Sequence, residues 1–207
     1  MILPAHRLLA AGRTGLEVAS FSIGPESGSN TITVDKPDGT EAGDLLVALM
    51  HQNGATNRTW SGDSGWAERA DPGTVPSIRI ATKIAGASEP GSYTFTTNIN
   101  CSKRAVILRI PGAAWDTIGA ITTYTGSANI TAASIVAAGG LLFQAAVNNS
   151  SRDYVSLSGM DLFLSAYDGG TYLFANEVGE GATGGKTLST AGVTVASQTV
   201  LFSVKEA

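Results

Sequence analysis

Ser77-Ile78-Arg79-Ile80-Ala81-Thr82-Lys83-Ile84 alternates in steps of two: Ile78, Ile80, Thr82 and Ile84 share one side, Arg79 and Lys83 the other. Successive side chains of an extended strand point to opposite faces, so this stretch reads as a half-buried antiparallel strand. Asn30-Thr31-Ile32-Thr33-Val34 and Ser92-Tyr93-Thr94-Phe95-Thr96 alternate in the same way, and the second places Tyr93 and Phe95 together on a core face. Leu45-Leu46-Val47-Ala48-Leu49-Met50, Ala105-Val106-Ile107-Leu108 and Leu141-Leu142-Phe143 are apolar on both faces and read as central strands. Pro37-Asp38-Gly39, Asp63-Ser64-Gly65, Asp71-Pro72-Gly73, Glu89-Pro90-Gly91 and Asp168-Gly169-Gly170 punctuate these runs as turns. The pattern predicts about a dozen short strands, with no helix beyond a turn near Arg7 to Ala11. The fold class is therefore all-β, an antiparallel β-sandwich.

Composition agrees. Of 207 residues, 43% are apolar and only 14% charged, with 25 glycines making up part of the difference. A net charge of −4 on so apolar a chain excludes intrinsic disorder, and the excess of Asp and Glu over Lys and Arg argues against a nucleic-acid partner. The single Cys101 excludes an internal disulfide framework and a zinc site of the CxxC type. No run reaches the ~18 consecutive apolar residues of a membrane span, so no membrane insertion is expected. The N-terminal stretch is unlike a signal peptide: it has no basic region ahead of its apolar residues, and Pro4, His6 and Arg7 interrupt them. The expected place of synthesis is a reducing cytoplasm.

The two halves echo each other. Ala42-Gly43-Asp44-Leu45-Leu46 returns as Ala138-Gly139-Gly140-Leu141-Leu142, Asn53 as Asn149, and Arg104–Ile110 as Gln198–Val204. A repeat of about 95 residues fits either two small domains in tandem or two related halves of one sandwich. No Pro/Ser-rich or charged linker divides them, which favours a single sandwich domain over 17–207 behind an N-terminal arm, 1–16.

Motifs for chemistry are sparse. Gly179-Glu180-Gly181-Ala182-Thr183-Gly184-Gly185-Lys186-Thr187 matches GxGxxG and ends like a P-loop, but the P-loop spacing puts Glu180 where glycine belongs. Leu188–Val195 reads as turn and strand, without the helix whose N-terminus would face phosphates, so the stretch reads as a flexible glycine loop. His6 and His51 are too few for a metal centre, no GxSxG is present, and Cys101 has no neighbouring His. Glu177, Glu180, Asp161 and Asp168 could supply a carboxylate pair for glycoside cleavage, but carboxylates in polar turns are ordinarily only solvated. No catalytic residue, cofactor or metal is assigned. Trp60, Trp66 and Trp115 are the candidates for a glycan platform; the competing role for Trp66 is a plug at an open sandwich end.

The succession Ala42-Gly43-Asp44-Leu45-Leu46-Val47-Ala48, Ser64-Gly65-Trp66, Pro90-Gly91-Ser92-Tyr93-Thr94-Phe95-Thr96 and Arg104-Ala105-Val106-Ile107-Leu108 resembles a β-sandwich domain of tailed-bacteriophage structural proteins. Head decorations, head spikes and minor tail proteins carry such domains. The resemblance covers residues 30 to 205. It implies a jelly-roll-like sandwich with two weakly repeated halves, located in the virion after assembly in the bacterial host cytoplasm. It implies a non-enzymatic role, with copies of the same chain and other capsid or tail proteins as partners. The alternative is a carbohydrate-binding or receptor-binding module with a host-surface glycan as partner. The apolar Ile2, Leu3, Leu8 and Leu9 are the candidate partner-binding residues, because exposed aliphatic side chains forgo burial energy unless they dock.

Overall fold

The computed structural model describes residues 15–53, 60–62, 65–71, 76–98, 100–150, 152–166 and 170–207. The arm residues Ile2, Leu3, Leu8 and Leu9, the turn near Arg7 and Asp168 lie outside them. The chain divides into two compact units, Val18–Ala113 and Ala114–Ala207 (with residues 15–17), where the sequence favours one sandwich over 17–207.

The N-terminal unit carries β1 (Ser20–Ile23), β2 (Thr31–Asp35), β3 (Leu45–Asn53), β4 (Trp60–Gly62), β5 (Ala67–Ala70), β6 (Ser77–Ile84), β7 (Ser92–Thr97) and β8 (Ser102–Ile110). They form two antiparallel sheets, β1-β8-β3-β6-β5 and β2-β7-β4. The runs apolar on both faces lie where expected: β3 sits between β6 and β8, and β8 between β1 and β3. Leu46, Ala48 and Met50 of β3 join Ile32 and Val34 of β2 and Tyr93 and Phe95 of β7 in one core cluster. The two sheets thus pack face to face, with Tyr93 and Phe95 on the core side as their alternation requires. The opposite face of β3, with Leu45, Val47 and Leu49, is buried too.

β6 departs from the half-buried expectation. Ser77 to Thr82 are buried on both faces, whereas Ile84 at the strand end is 57% exposed. The polar face is tolerated inside because each cation has a partner. Arg79 Nε lies 3.1 Å from Glu68 Oε2, and Lys83 Nζ lies 2.9 Å from Glu89 Oε2 and over the Tyr93 ring.

The C-terminal unit repeats the plan. Its strands are β9 (Ala113–Ile118), β10 (Thr122–Ser127), β11 (Asn129–Ala132), β12 (Val136–Asn148), β13 (Val155–Ser156), β14 (Asp161–Ala166), β15 (Thr171–Ala182), β16 (Lys186–Ser189) and β17 (Val195–Glu206). The larger sheet runs β10-β17-β12-β15-β14, with β9 also on β17, and the smaller one β11-β16-β13. Adding nine to each strand number of the first unit reproduces both orders of the second. The short echoes in the sequence are therefore the visible part of a whole repeated topology. The core repeats as well: Leu142 and Ala146 of β12 meet Ile130 and Ala132 of β11 and Leu188 of β16.

Glycine is required just before β3, and at the equivalent position inside the longer β12. Gly43 has φ +93° and Gly139 has φ +93°, a left-handed backbone that side chains with a Cβ rarely adopt. Asp44, beside Gly43, holds the turn, since its Oδ2 accepts the Glu41 amide at 2.8 Å. No helix among the described residues is long and apolar enough to cross a membrane.

Candidate functional site

The three tryptophans are employed in packing. Trp60 is buried in the N-terminal core. Trp66 stands edge-on to Tyr93 and Phe95, with centroids 5.3 and 5.5 Å away, as a plug on that core would. Trp115, in the C-terminal unit, stacks on Phe202 at 5.6 Å, and Phe202 stacks in turn on Phe143 at 5.0 Å. A saccharide platform needs a ring face open to solvent: Trp60 is buried, whereas Trp66 and Trp115 keep part of their surface exposed beside these partners.

The glycine-rich stretch differs from the expected loop. Gly179 to Ala182 are the end of β15, and Lys186 begins β16, which leaves only Thr183, Gly184 and Gly185 between strands. Strand succeeds strand, so no helix N-terminus faces the glycines. The candidate carboxylates near it also have structural surroundings: Asp161 Oδ2 accepts from Asn176 Nδ2 at 3.2 Å, and Glu177 lies across from Leu141.

An open cleft of about 600 Å³ lies in the C-terminal unit, lined by Asp116, Val136, Ala137, Ala138, Glu180 and Gly181. It is built where the two units differ. β12 has 13 residues against 9 in β3, and its added length from Val136 pairs with the end of β15 up to Ala182. Asp116 Oδ2 is engaged by the Ala138 amide at 2.9 Å and by Ser203 Oγ at 2.7 Å, which leaves the exposed Glu180 as the cleft's available carboxylate. One solvated carboxylate and small side chains can hold a cation or a polar group, but they do not make an acid–base pair.

A third place carries no signature in the sequence. At one end of the N-terminal core, His51, Gln52, Ser77, Arg79, Lys103 and Arg104 are all buried. Burial, and then the Arg104 charge, push the His51 imidazole down to about 3, so it is neutral at pH 7. Gln52 lies directly across from Ser77 on one side and from Lys103 on the other, so the three share one face of the sheet. Alternation of apolar residues carries no signal for such a row, because polar residues at a strand end read as the approach to a loop.

Among the described residues no group of three or more His, Cys, Asp or Glu side chains is placed to hold a metal ion. No family model, no curated protein and no solved structure matches this chain.

Proposed function

We propose that this chain is a non-enzymatic structural protein of a tailed-phage virion, acting through protein–protein interfaces on the particle exterior. The observation that supports this reading is the strand order. β1 pairs with β8, β2 with β7 and β3 with β6, and β10 with β17, β11 with β16 and β12 with β15 repeat this, as in the wrapped pairing of a jelly roll. The departure is the innermost pair, since β5 joins β6 and β14 joins β15 instead of β4 and β13. A duplicated jelly-roll-like unit agrees with the resemblance carried by the Ala42–Ala48 and Arg104–Leu108 motifs.

The outer faces of the two small sheets suit packing against neighbours. Thr33 and Thr94 exchange a hydroxyl hydrogen bond at 3.0 Å, and Thr131 and Thr187 do so at 2.8 Å. Such hydroxyl-rich surfaces, on which Asp35 is the exposed charge of β2, can be desolvated at an interface more cheaply than densely charged ones. For the carbohydrate-binding alternative, Trp60 is buried, and Trp66 and Trp115 are partly exposed rings that also make aromatic contacts within the protein.

The test is co-sedimentation of the tagged full chain with purified particles of the source phage, then antibody labelling in negative stain. Regular labelling of head or tail is the expected result. Protein that stays at the top of the gradient, with unlabelled particles, rejects the reading, and binding on a glycan array would then favour the alternative.

A further inference from the structure

We propose that the buried polar end of the N-terminal unit, around Lys103, Gln52 and Ser77, binds a small oxyanion, the carboxylate or phosphate group of a ligand. This site is independent of any role in a virion. Lys103 is 0% exposed, and its Nζ donates to two backbone carbonyls, Ser29 O and Cys101 O, the latter at 3.1 Å. No carboxylate pairs with it among the described residues. An ammonium has three donors, and neutral carbonyls supply no counter-charge to a cation removed from water.

The neighbours are also short of partners among the described residues. Gln52 is 1% exposed, and neither its Oε1 nor its Nε2 has a hydrogen bond; the buried Ser77 Oγ has none either. Direct cross-strand neighbours have Cβ atoms about 5 Å apart, so these two and Lys103 form one short row. From the facing sheet, Trp60 Nε1 is a buried donor without an acceptor. Trp60 is paired with Thr97, whose Oγ1 lies 3.7 Å from Cys101 Sγ, and the Cys101 carbonyl holds Lys103, a chain of contacts that links the facing sheet to the row. Arg79, one pair further along the same face, is balanced by Glu68. In this row the available donors outnumber the acceptors and the unpaired charge is positive, which is the complement of an oxyanion.

The second unit serves as an internal control. Asn148 and Ser197 take the places of Gln52 and Lys103 and pair across their strands in the same way. Asn148 Nδ2 donates to Arg152 O at 2.8 Å, its Oδ1 accepts the Ser150 amide at 3.0 Å, and Ser197 Oγ bonds the Tyr154 hydroxyl. There the equivalent side chains are uncharged and are satisfied by groups of their own unit, and the Asp153 carboxylate nearby accepts from the Tyr172 hydroxyl. The excess of donors is thus a property of the first unit, not of the fold.

The test is thermal unfolding of the full chain with rising phosphate, and separately acetate, at constant ionic strength set with chloride. A saturating rise in Tm of roughly 3–5 °C is expected with at least one of them. A rise with phosphate alone assigns a phosphate ligand, with acetate alone a carboxylate, and with both a general oxyanion site. Lys103→Met should abolish the rise and melt higher than the parent in chloride, because it removes an unpaired buried charge. Should that variant not fold, Gln52→Leu must raise the half-saturating concentration at least tenfold. No saturable rise with either anion, or an undiminished rise in the variants, overturns the proposal.

Discussion

Asp44 Oδ2 accepts the Arg109 Nε at 2.6 Å, tying the turn before β3 to the end of β8. The same oxygen holds the Glu41 amide, so one carboxylate fixes both the corner and the strand pair beyond it. Asp44→Ala leaves a guanidinium and an amide without their acceptor. Urea unfolding should show a loss of about 2–3 kcal/mol, below the range for fully buried pairs because both side chains retain some solvent contact. Asp44→Asn keeps an acceptor for Glu41 and should lose about half as much.

In the second unit the place of Asp44 is taken by Gly140, and the reason is steric. Gly140 has φ +104°, and a Cβ there would stand 2.2 Å from the Val204 carbonyl oxygen. At Gly139, φ is +93° but the nearest atom would be 3.8 Å away. Gly140→Ala should therefore lose about 3 kcal/mol or more, and Gly139→Ala only about 1–2 kcal/mol of backbone strain. Equal losses in the two variants would show that backbone strain, not the β17 contact, requires glycine here.

His51 gives the fold a pH dependence whose sign is set by its depressed pKa. The folded imidazole is held at about 3 against an ordinary 6.5, so on acidification the unfolded chain takes up a proton before the folded one does. Stability is complete above pH 6.5 and falls as the pH drops toward 3, by at most about 1.4 kcal/mol per pH unit. Glu89 adds a loss only below its ordinary 4.5: burial raises its pKa, but the Gly86 amide, Lys83 and Tyr93 outweigh this and lower it. The window between pH 4.5 and 6.5 therefore isolates His51. Denaturant titrations there should show the slope in the parent chain and a flat profile in His51→Leu.

Much of the fold is legible in the sequence because its strongest determinant is a period of two. The runs around Leu46, Ile107 and Leu142 declare central strands by their apolar character on both faces, and Tyr93 and Phe95 declare a core face by alternation. The strands outnumber the expected dozen because some, such as Trp60–Gly62 and Val155–Ser156, are too short to show a period. The end of β15 reads as a loop because its glycines mask a pairing that is dictated from outside, by residues 136–140 of β12. The row Lys103-Gln52-Ser77 is illegible for another reason: it exists only in register, between strands far apart in sequence.

The glycine stretch before β16 should bind no nucleotide. Strand geometry runs up to Ala182 and resumes at Lys186, so backbone amides there are engaged in pairing and not fanned toward a phosphate. Calorimetry with ATP or NAD should give no heat of binding, and Lys186→Ala should melt as the parent does. Micromolar binding abolished by that change would reverse this conclusion.

Trp66 separates packing from recognition. Its edge contacts to Tyr93 and Phe95 link it to a chain of interactions: the Tyr93 hydroxyl donates to Glu89 at 2.9 Å, and Glu89 pairs with Lys83. Removing the ring uncovers Tyr93 and deprives both aromatics of an edge partner, each such pair contributing about 0.5–1.5 kcal/mol beyond area burial. Trp66→Ala should therefore lower stability by about 2–4 kcal/mol, somewhat short of a fully buried tryptophan because the ring keeps part of its surface in water. Trp66→Phe, which retains a ring, should recover at least half of that. If the residue instead served a sugar, Trp66→Ala would leave the unfolding midpoint unchanged while erasing signal on a glycan array. The pair of measurements on one variant thus decides between a plug and a platform.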